Sequence, residues 1–440
     1  MKKSILSLAS AMLFVFSTNA QKVEFEEYNL DNGMHVILHQ DDSAPVVTVA
    51  VMYHVGAKDE VDGKTGMAHF YEHLLFTGTK NIDRGKWSEI TSARGGTGNA
   101  NTNWDRTYYY QTFPSNELKL ALWMEAERLS HPIIDQKAVD TQNEVVKEEK
   151  RQRMDNAPYG KVIYGDVYSH IFDNHNYGRP MIGYIKDLDA AKLEEFQAFY
   201  NKWYMPNNAV LVVAGDFEKG DAKSIINDYF ASIPARTKPE RNKVIEPERT
   251  SEKRVVEYDA NIQLPLLGLA YKTPAMSERD AKVLDVISTV LSNGKSSRLY
   301  KKLVDDKKMA LQAFSFSRPL EDYSVYIIGS IVAGGTSNDD IIKEMDEEII
   351  KLQTELISDK DLQKVRNKFE NQFVASNSSV TGIANSLARN YMLVGDTDRI
   401  NKELGIINSI TKEEVRDVAI KYLAKNRRVI MDYLPESQKK

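Results

Sequence analysis

One pattern occurs twice in this chain. From Glu194-Glu195-Phe196 a helical segment leads through Asn207-Asn208 into the apolar run Ala209-Val210-Leu211-Val212-Val213. From Glu413-Glu414-Val415 a second such segment leads through Asn426-Arg427-Arg428 into Val429-Ile430-Met431. The offset is a constant 219, taking Phe196 to Val415, Asn207 to Asn426 and Val210 to Val429. Upstream, Pro45-Val46-Val47-Thr48-Val49-Ala50 parallels Pro265-Leu266-Leu267-Gly268-Leu269-Ala270 at an offset of 220. Two matches at nearly one offset point to duplication of a whole domain rather than of a short unit. Length alone, at 440 residues, allows two to four domains; the repeat narrows that to two.

The boundary falls between Ala235 and Lys253, a stretch rich in Pro, Lys, Arg and Glu without apolar periodicity. We therefore expect a first domain over residues 21–235, a linker over 236–252 and a homologous second domain over 253–440. Residues 1–20 are set apart. Lys2 and Lys3 precede a mostly apolar run from Ile5 to Phe16, and Thr18-Asn19-Ala20 is a small-x-small site. That is the layout of a secretory signal peptide cut after Ala20, and the run is shorter than the ~20 residues a spanning helix needs. Export, with the periplasm as destination, is the expectation. No later run approaches membrane-spanning length.

In the first half, residues 34–39 and 46–54 read as strands and 98–113 as a strand pair. Residues 118–129, 137–154, 192–204 and 222–230 carry helical periodicity. Strands and crossover helices do not alternate regularly. The expected class is α+β, each domain a mostly antiparallel (mixed) sheet with helices packed on one face. With a net charge of −5, the chain has no basic character to suggest a nucleic-acid partner. It has no cysteine, so disulfides, thiolate metal ligands and cysteine nucleophiles are all excluded.

The chemistry concentrates in Gly66-Met67-Ala68-His69-Phe70-Tyr71-Glu72-His73-Leu74-Leu75-Phe76. Met67, Phe70, Tyr71, Leu74 and Leu75 fall at the positions of one helical stripe. His69 and His73 lie four apart on the other side, where two imidazoles can grip one metal ion. Glu72 shares that side. From there a carboxylate can take a proton from an attacking water without being a ligand. A catalytic zinc usually has three protein ligands. Without cysteine, the third must be His, Asp or Glu. On the helix over 137–154 an apolar face is drawn by Val139, Val145 and Val146, and Glu149 projects between Val145 and Val146 on it. Glu144 and Glu148 point away with Lys147 and Arg151. An inward carboxylate needs a partner, either a metal or a buried salt bridge.

This H-x-x-E-H motif, with a Glu in Asn143-Glu144-Val145-Val146-Lys147-Glu148-Glu149 76 positions after its last His, resembles the inverzincin peptidases. Pitrilysin, insulin-degrading enzyme and mitochondrial processing peptidase belong to that family. The resemblance covers nearly the whole chain beyond residue 20. It implies one zinc held by His69, His73 and Glu149, Glu72 as general base, and peptide-bond hydrolysis in a chamber closed by two halves. The length is that of short members that work as dimers. Gly95-Gly96-Thr97-Gly98-Asn99-Ala100 resembles the family's edge strand, which implies that Asn99 and the Ala100 backbone hold an extended substrate. Gln142 stands where some members have a second, supporting Glu.

The second half departs from the family. Active members supply an Arg and a Tyr seven apart, and the aligned positions here are Val304 and Leu311. Neither can donate a hydrogen bond to an oxyanion. The expectation is a zinc-bearing subunit whose Arg and Tyr come from a homologous chain without zinc, in a heterodimer. A homodimer and a zinc-stabilised subunit without turnover are the alternatives.

Overall fold

The computed structural model describes residues 22–241 and 243–439, so the leader at 1–20 lies outside it. Among the described residues the strands form two sheets. The first holds β1 (Glu26–Asn29), β2 (His35–Gln40), β3 (Val46–Tyr53), β4 (Thr97–Thr102), β5 (Thr107–Pro114) and β6 (Ala209–Gly215), in the order β1-β2-β6-β3-β5-β4. The second holds β7 (Lys253–Asp259), β8 (Leu266–Thr273), β9 (Ala310–Arg318), β10 (Ser324–Val332) and β11 (Arg428–Pro435), in the order β7-β11-β8-β10-β9. Without β1 the two orders are the same. In each sheet one pair is parallel, β2 with β6 and β7 with β11, and every other pair is antiparallel. The 219-residue offset is thus the spacing of β6 and β11, and the 220-residue offset that of β3 and β8.

The first half carries helices α1 (Met67–Leu74), α2 (Trp87–Ala93), α3 (Leu118–Ser130), α4 (Gln136–Lys150), α5 (Val167–Ile171), α6 (Ile185–Ala190), α7 (Leu193–Trp203) and α8 (Lys219–Phe230). The second carries α9 (Arg279–Ser292), α10 (Asn338–Thr354), α11 (Asp359–Ser376), α12 (Val380–Arg389), α13 (Arg399–Asn408) and α14 (Lys412–Tyr422). The fold is α+β, and each half packs its own helices on one face of its sheet. Val36, Leu38, Val49, Val51, Leu211 and Val213 meet α1, α3, α7 and α8. Leu267, Leu269 and Ile328 meet α9, α10 and α14.

The opposite faces are covered too, each by the other half. Ile37, Ala50, Met52, Val210 and Val212 alternate with the first set and pack against Ile383, Ala384 and Leu387 of α12. Ala270, Ile327, Val429 and Met431 pack against Val162 and against Val167, Tyr168 and Ile171 of α5. This explains why β6 reads as an unbroken apolar run, since a strand buried on both faces has no polar side to show. The described residues of 236–252 hold no helix or strand, but they are strapped down. Glu246 is buried and accepts hydrogen bonds from the backbone N–H groups of Asp173, Asn174 and His175 at 2.6–3.0 Å.

A buried ionic cluster closes the junction. Lys58 Nζ lies 3.0 Å from Asp105 Oδ1, 2.7 Å from Glu321 Oε2 and 2.8 Å from Asp322 Oδ2. His54 Nε2 is 2.8 Å from Glu321, and His175 Nε2 is 3.3 Å from Asp322. Burial acts to raise the carboxyls of Glu321 and Asp322, but the nearby His54, His175 and Lys58 outweigh it and hold both below the usual range. Asp105 is pushed up by burial. Lys58→Met would leave the buried Asp105 carboxylate and the half-buried Glu321 and Asp322 without their common cation. We expect a loss of about 3 kcal/mol of stability at pH 7, read by urea unfolding. For Glu321 and Asp322 the sign of linkage is that of depressed acids, whose stabilisation is present at neutral pH and lost on acidification through their folded-state values. The wild-type advantage over Lys58→Met should therefore shrink as pH falls below 4. An unchanged midpoint at pH 7 would show that the cluster contributes nothing to the junction.

Candidate metal centre

The candidate metal ligands stand on two packed helices, and the first is held from both ends. Gly66 precedes α1 with φ at 89°, and a Cβ there would lie 2.7 Å from the Ile182 carbonyl oxygen, so both conformation and space require glycine. The two Glu60 oxygens accept hydrogen bonds from the N–H groups of Gly66 at 2.7 Å and Ala68 at 2.8 Å, satisfying donors at the helix start. Burial nonetheless raises the Glu60 carboxyl to about 8. At the other end, Arg128 Nη1 donates to the Leu75 carbonyl at 3.0 Å. Arg128 is itself fully buried, paired with Glu125 at 3.0 Å and stacked on Trp87, Phe76 and Tyr109. Met67, Phe70, Tyr71 and Leu74 turn into the core, as their spacing predicts.

The second helix, α4, is capped by Asp135, whose Oδ1 accepts from Ala138 N–H at 2.9 Å. It carries Glu149 to its last turn. Val139 and Val146 are buried as expected, but Val145 is 44% exposed, so it does not belong to the inward face. Valine spacing misplaced that residue because α4 packs along a narrower stripe. Glu144 and Glu148 are exposed, as anticipated.

His69, His73 and Glu149 converge. One donor atom from each lies within 4.8 Å of the others. Glu149 Oε2 is 2.9 Å from His73 Nε2 and 3.5 Å from His69 Nε2. Despite this closeness it is a buried oxygen without a properly directed hydrogen bond from any described residue, as is His69 Nδ1. An acceptor facing two imidazole nitrogens, none of them aligned to donate, is what a cation between the three would satisfy. The donor set of two imidazoles and one carboxylate suits zinc. Burial acts to raise the Glu149 carboxyl, but the two imidazoles outweigh it and hold the group far below the usual range. Its other oxygen, Oε1, is 2.7 Å from Arg153 Nη1.

Glu72 is half-buried on α1 and makes no hydrogen bond or ion pair among the described residues. Asn99 is exposed and Ala100 buried on β4, the outermost strand of its sheet. Gln142 is half-buried and makes no hydrogen bond to His69, His73 or Glu149. Val304 sits half-buried in the wide helical turn Tyr300–Asp306, and Leu311 is 57% exposed on the edge strand β9. The remaining histidines stay outside the cluster. His35 stacks on Tyr391, while His54, His170 and His175 pair with Glu321, Glu257 and Asp322.

Sequence reasoning missed Glu60, Arg128 and Arg153. Arg153 was within reach, because it stands four residues after Glu149 on a continuing helix. Glu60 and Arg128 act from a loop and from a distant helix, where spacing carries no signal.

Comparison with known proteins agrees with this architecture. Residues 35–184 match the family model described as insulinase (peptidase family M16), and residues 190–369 match the one described as the peptidase M16 inactive domain. The zinc protease PqqE of Helicobacter pylori is 31% identical over 408 residues, covering 90% of each chain. The uncharacterized zinc protease YmxG of Bacillus subtilis is 23% identical over 397 residues, covering 90% of this chain and 94% of the other. The crystal structure of a protease from Helicobacter pylori superposes with a TM-score of 0.88 at 28% identity, covering 93% of this chain and 99% of that one. Fold and relatives together define a two-domain metallopeptidase scaffold. The chain belongs to peptidase family M16, in its two-domain bacterial form. The two family models meet between residues 184 and 190, whereas the sheets divide later, because β6 belongs to the first sheet.

Glu60→Ala would strip two helix-start donors of their acceptor. We expect a loss of about 1–2 kcal/mol of stability and about 10–100-fold weaker zinc binding, measured by thermal unfolding and metal titration. Unaltered zinc affinity would mean that Glu60 does not hold α1 in place.

Proposed function

We propose that this chain is the zinc-bearing catalytic subunit of an exported endopeptidase that cleaves peptides or short unfolded polypeptides. The observation that carries the reading is the convergence of His69, His73 and Glu149, with Glu72 unpaired one helical turn from His69. One zinc per chain, held by those three residues, would polarise the scissile carbonyl and make an attacking water more acidic. The Glu72 carboxylate would take the proton of that water and hand it to the leaving amide nitrogen. An extended substrate would add to the outer edge of β4, with Asn99 and the Ala100 backbone as its anchors. Gln142 is retained as a supporting residue of the site on the family resemblance alone.

Val304 and Leu311 offer no donor for the developing oxyanion, so a homologous subunit would supply the Arg and Tyr. Periplasmic export rests on the segment 1–20. Cleavage after Ala20 would spare the anchoring of Val23, whose N–H donates to Asn401 Oδ1 at 2.8 Å. Among the described residues no helix is long and apolar enough to cross a membrane. The same apolar substitutions favour a second reading, a zinc-stabilised assembly subunit without turnover. Glu72 speaks against it, since a structural zinc needs no base.

Glu72→Gln should keep zinc but lower peptide cleavage by about 10²–10⁴-fold or more, measured on the zinc-loaded complex. Persistent cleavage would refute the assigned mechanism. Expression of the chain alone and with a homologous partner tests the division of labour, and full chelator-sensitive activity of the isolated chain would overturn it. Absence of hydrolysis in every complex would leave the assembly role.

A further inference from the structure

A second polar site lies in the other half of the molecule, away from α1 and α4. Helices α9, α11, α12 and α13 line a half-open cavity of about 190 Å³. Its charged groups are unevenly matched. Lys282 Nζ is 2.5 Å from Glu403 Oε1, and Arg399 Nε is 3.1 Å from Glu403 Oε2, so two cations share one carboxylate. Asp285, 3.8 Å from Lys282, is the other carboxylate nearby. Arg389 also lines the cavity, and it has neither a hydrogen bond nor an ion pair among the described residues. Its neighbour Asn390 lines the same space at 8% exposure, and its side-chain amide has no hydrogen-bond partner among the described residues. Arg389 is half-buried, and it and Asn390 present side by side polar groups that no described residue engages, so both are available to a bound molecule.

We propose that this cavity binds a small monocarboxylate with an apolar body, the chemistry of an apolar amino acid or of a peptide's C-terminal residue. The planar guanidinium of Arg389 suits a carboxylate held by two parallel hydrogen bonds, and the Asn390 amide can add a third. Lys282, Arg389 and Arg399 face Glu403 and Asp285, an excess of one positive charge. That balance suits a monoanion, while a phosphate near −2 would meet the two carboxylates. Beside the polar Gln372 and Ser376, Phe369, Phe373, Leu404 and Ile407 also line the cavity and would cover an aliphatic side chain. The site stands on α12, the helix that covers the back of β3 and β6. It does not rest on the peptidase reading.

The test is titration calorimetry on the zinc-loaded chain with N-acetyl-leucine, N-acetyl-leucinamide and inorganic phosphate. N-acetyl-leucine should bind with a Kd of about 1 mM or tighter, and the neutral amide at least about tenfold more weakly. Arg389→Met should weaken the acid by about tenfold or more, whereas binding at the zinc centre would survive that change. Free leucine and a short acetylated peptide ending in leucine distinguish the two sources. Because Arg389 has no partner, Arg389→Met should also leave the melting temperature of the ligand-free protein equal or higher. No binding of the acid, equal binding by phosphate, or acid binding unchanged in Arg389→Met would each overturn the proposal. So would a marked fall in melting temperature for Arg389→Met, which would make Arg389 a structural residue.

Discussion

Each sheet in this molecule is a wall shared between the halves, and the rest of the structure depends on that sharing. A sheet with helices on one side and water on the other can show polar residues on its outer face. Neither central strand set does so here. Val210 and Val212 need α12, and Val429 and Met431 need α5 and the turn before it. Neither half can therefore bury its own sheet, although each has its own helical core. The ionic cluster around Lys58 and the strap around Glu246 lie at the same seam. Apolar burial supplies the attraction there, and the polar groups set how the halves register.

The candidate metal centre inherits its precision from this wall. α1 is only eight residues long, too short to be stable as an isolated helix. Its position is imposed by the sheet beneath it, by Glu60 at its start and by Arg128 at its end. Arg128 is an unusual support, a fully buried cation enclosed by three aromatic rings and one carboxylate. Such an arrangement is costly to assemble and costly to break, which suits a residue that must not move. Across from α1, the helix carrying Glu149 ends in a wide turn, Arg151–Asp155, which brings Arg153 back onto the second carboxylate oxygen. Glu149 is thus oriented from one side by Arg153 while its other oxygen faces the imidazoles.

The two halves have diverged at corresponding places. The first keeps a histidine helix between β3 and β4. Between β8 and β9 the second has α9 and the turn that carries Val304, and among the described residues no other cluster of potential metal ligands occurs. Its edge strand β9 corresponds to β4, but it presents Leu311 where active relatives of this family are expected to present a donor. The asymmetry gives the chain a candidate metal site in one half without a donor at Val304 or Leu311 in the other, and it is the ground for proposing a second chain.

Much of this was legible in the residues. The repeat at 219 and 220 announced two like sheets, the stripe from Met67 to Leu75 set which side of α1 faces the core, and the histidine pair with the absence of cysteine left His, Asp or Glu as candidates for a third ligand. These features are readable because helical and strand periods translate spacing directly into direction. Other features have no period. Val145 looked inward by spacing and is exposed, because the contact stripe of α4 depends on what it packs against. Glu60 and Arg128 reach α1 through space, and the covering of each sheet by the other half's helices is a matter of how the chain returns on itself. By itself the sequence determined the element types and the duplication and named candidate ligands. Only the tertiary structure decided which carboxylate lies beside the imidazoles, which groups immobilise them, and that the two domains cannot be separated without exposing both sheets. Most of those outcomes depend on contacts between residues far apart in the chain, from 53 positions for Arg128 and Leu75 to more than a hundred between the halves, and no local pattern encodes such contacts.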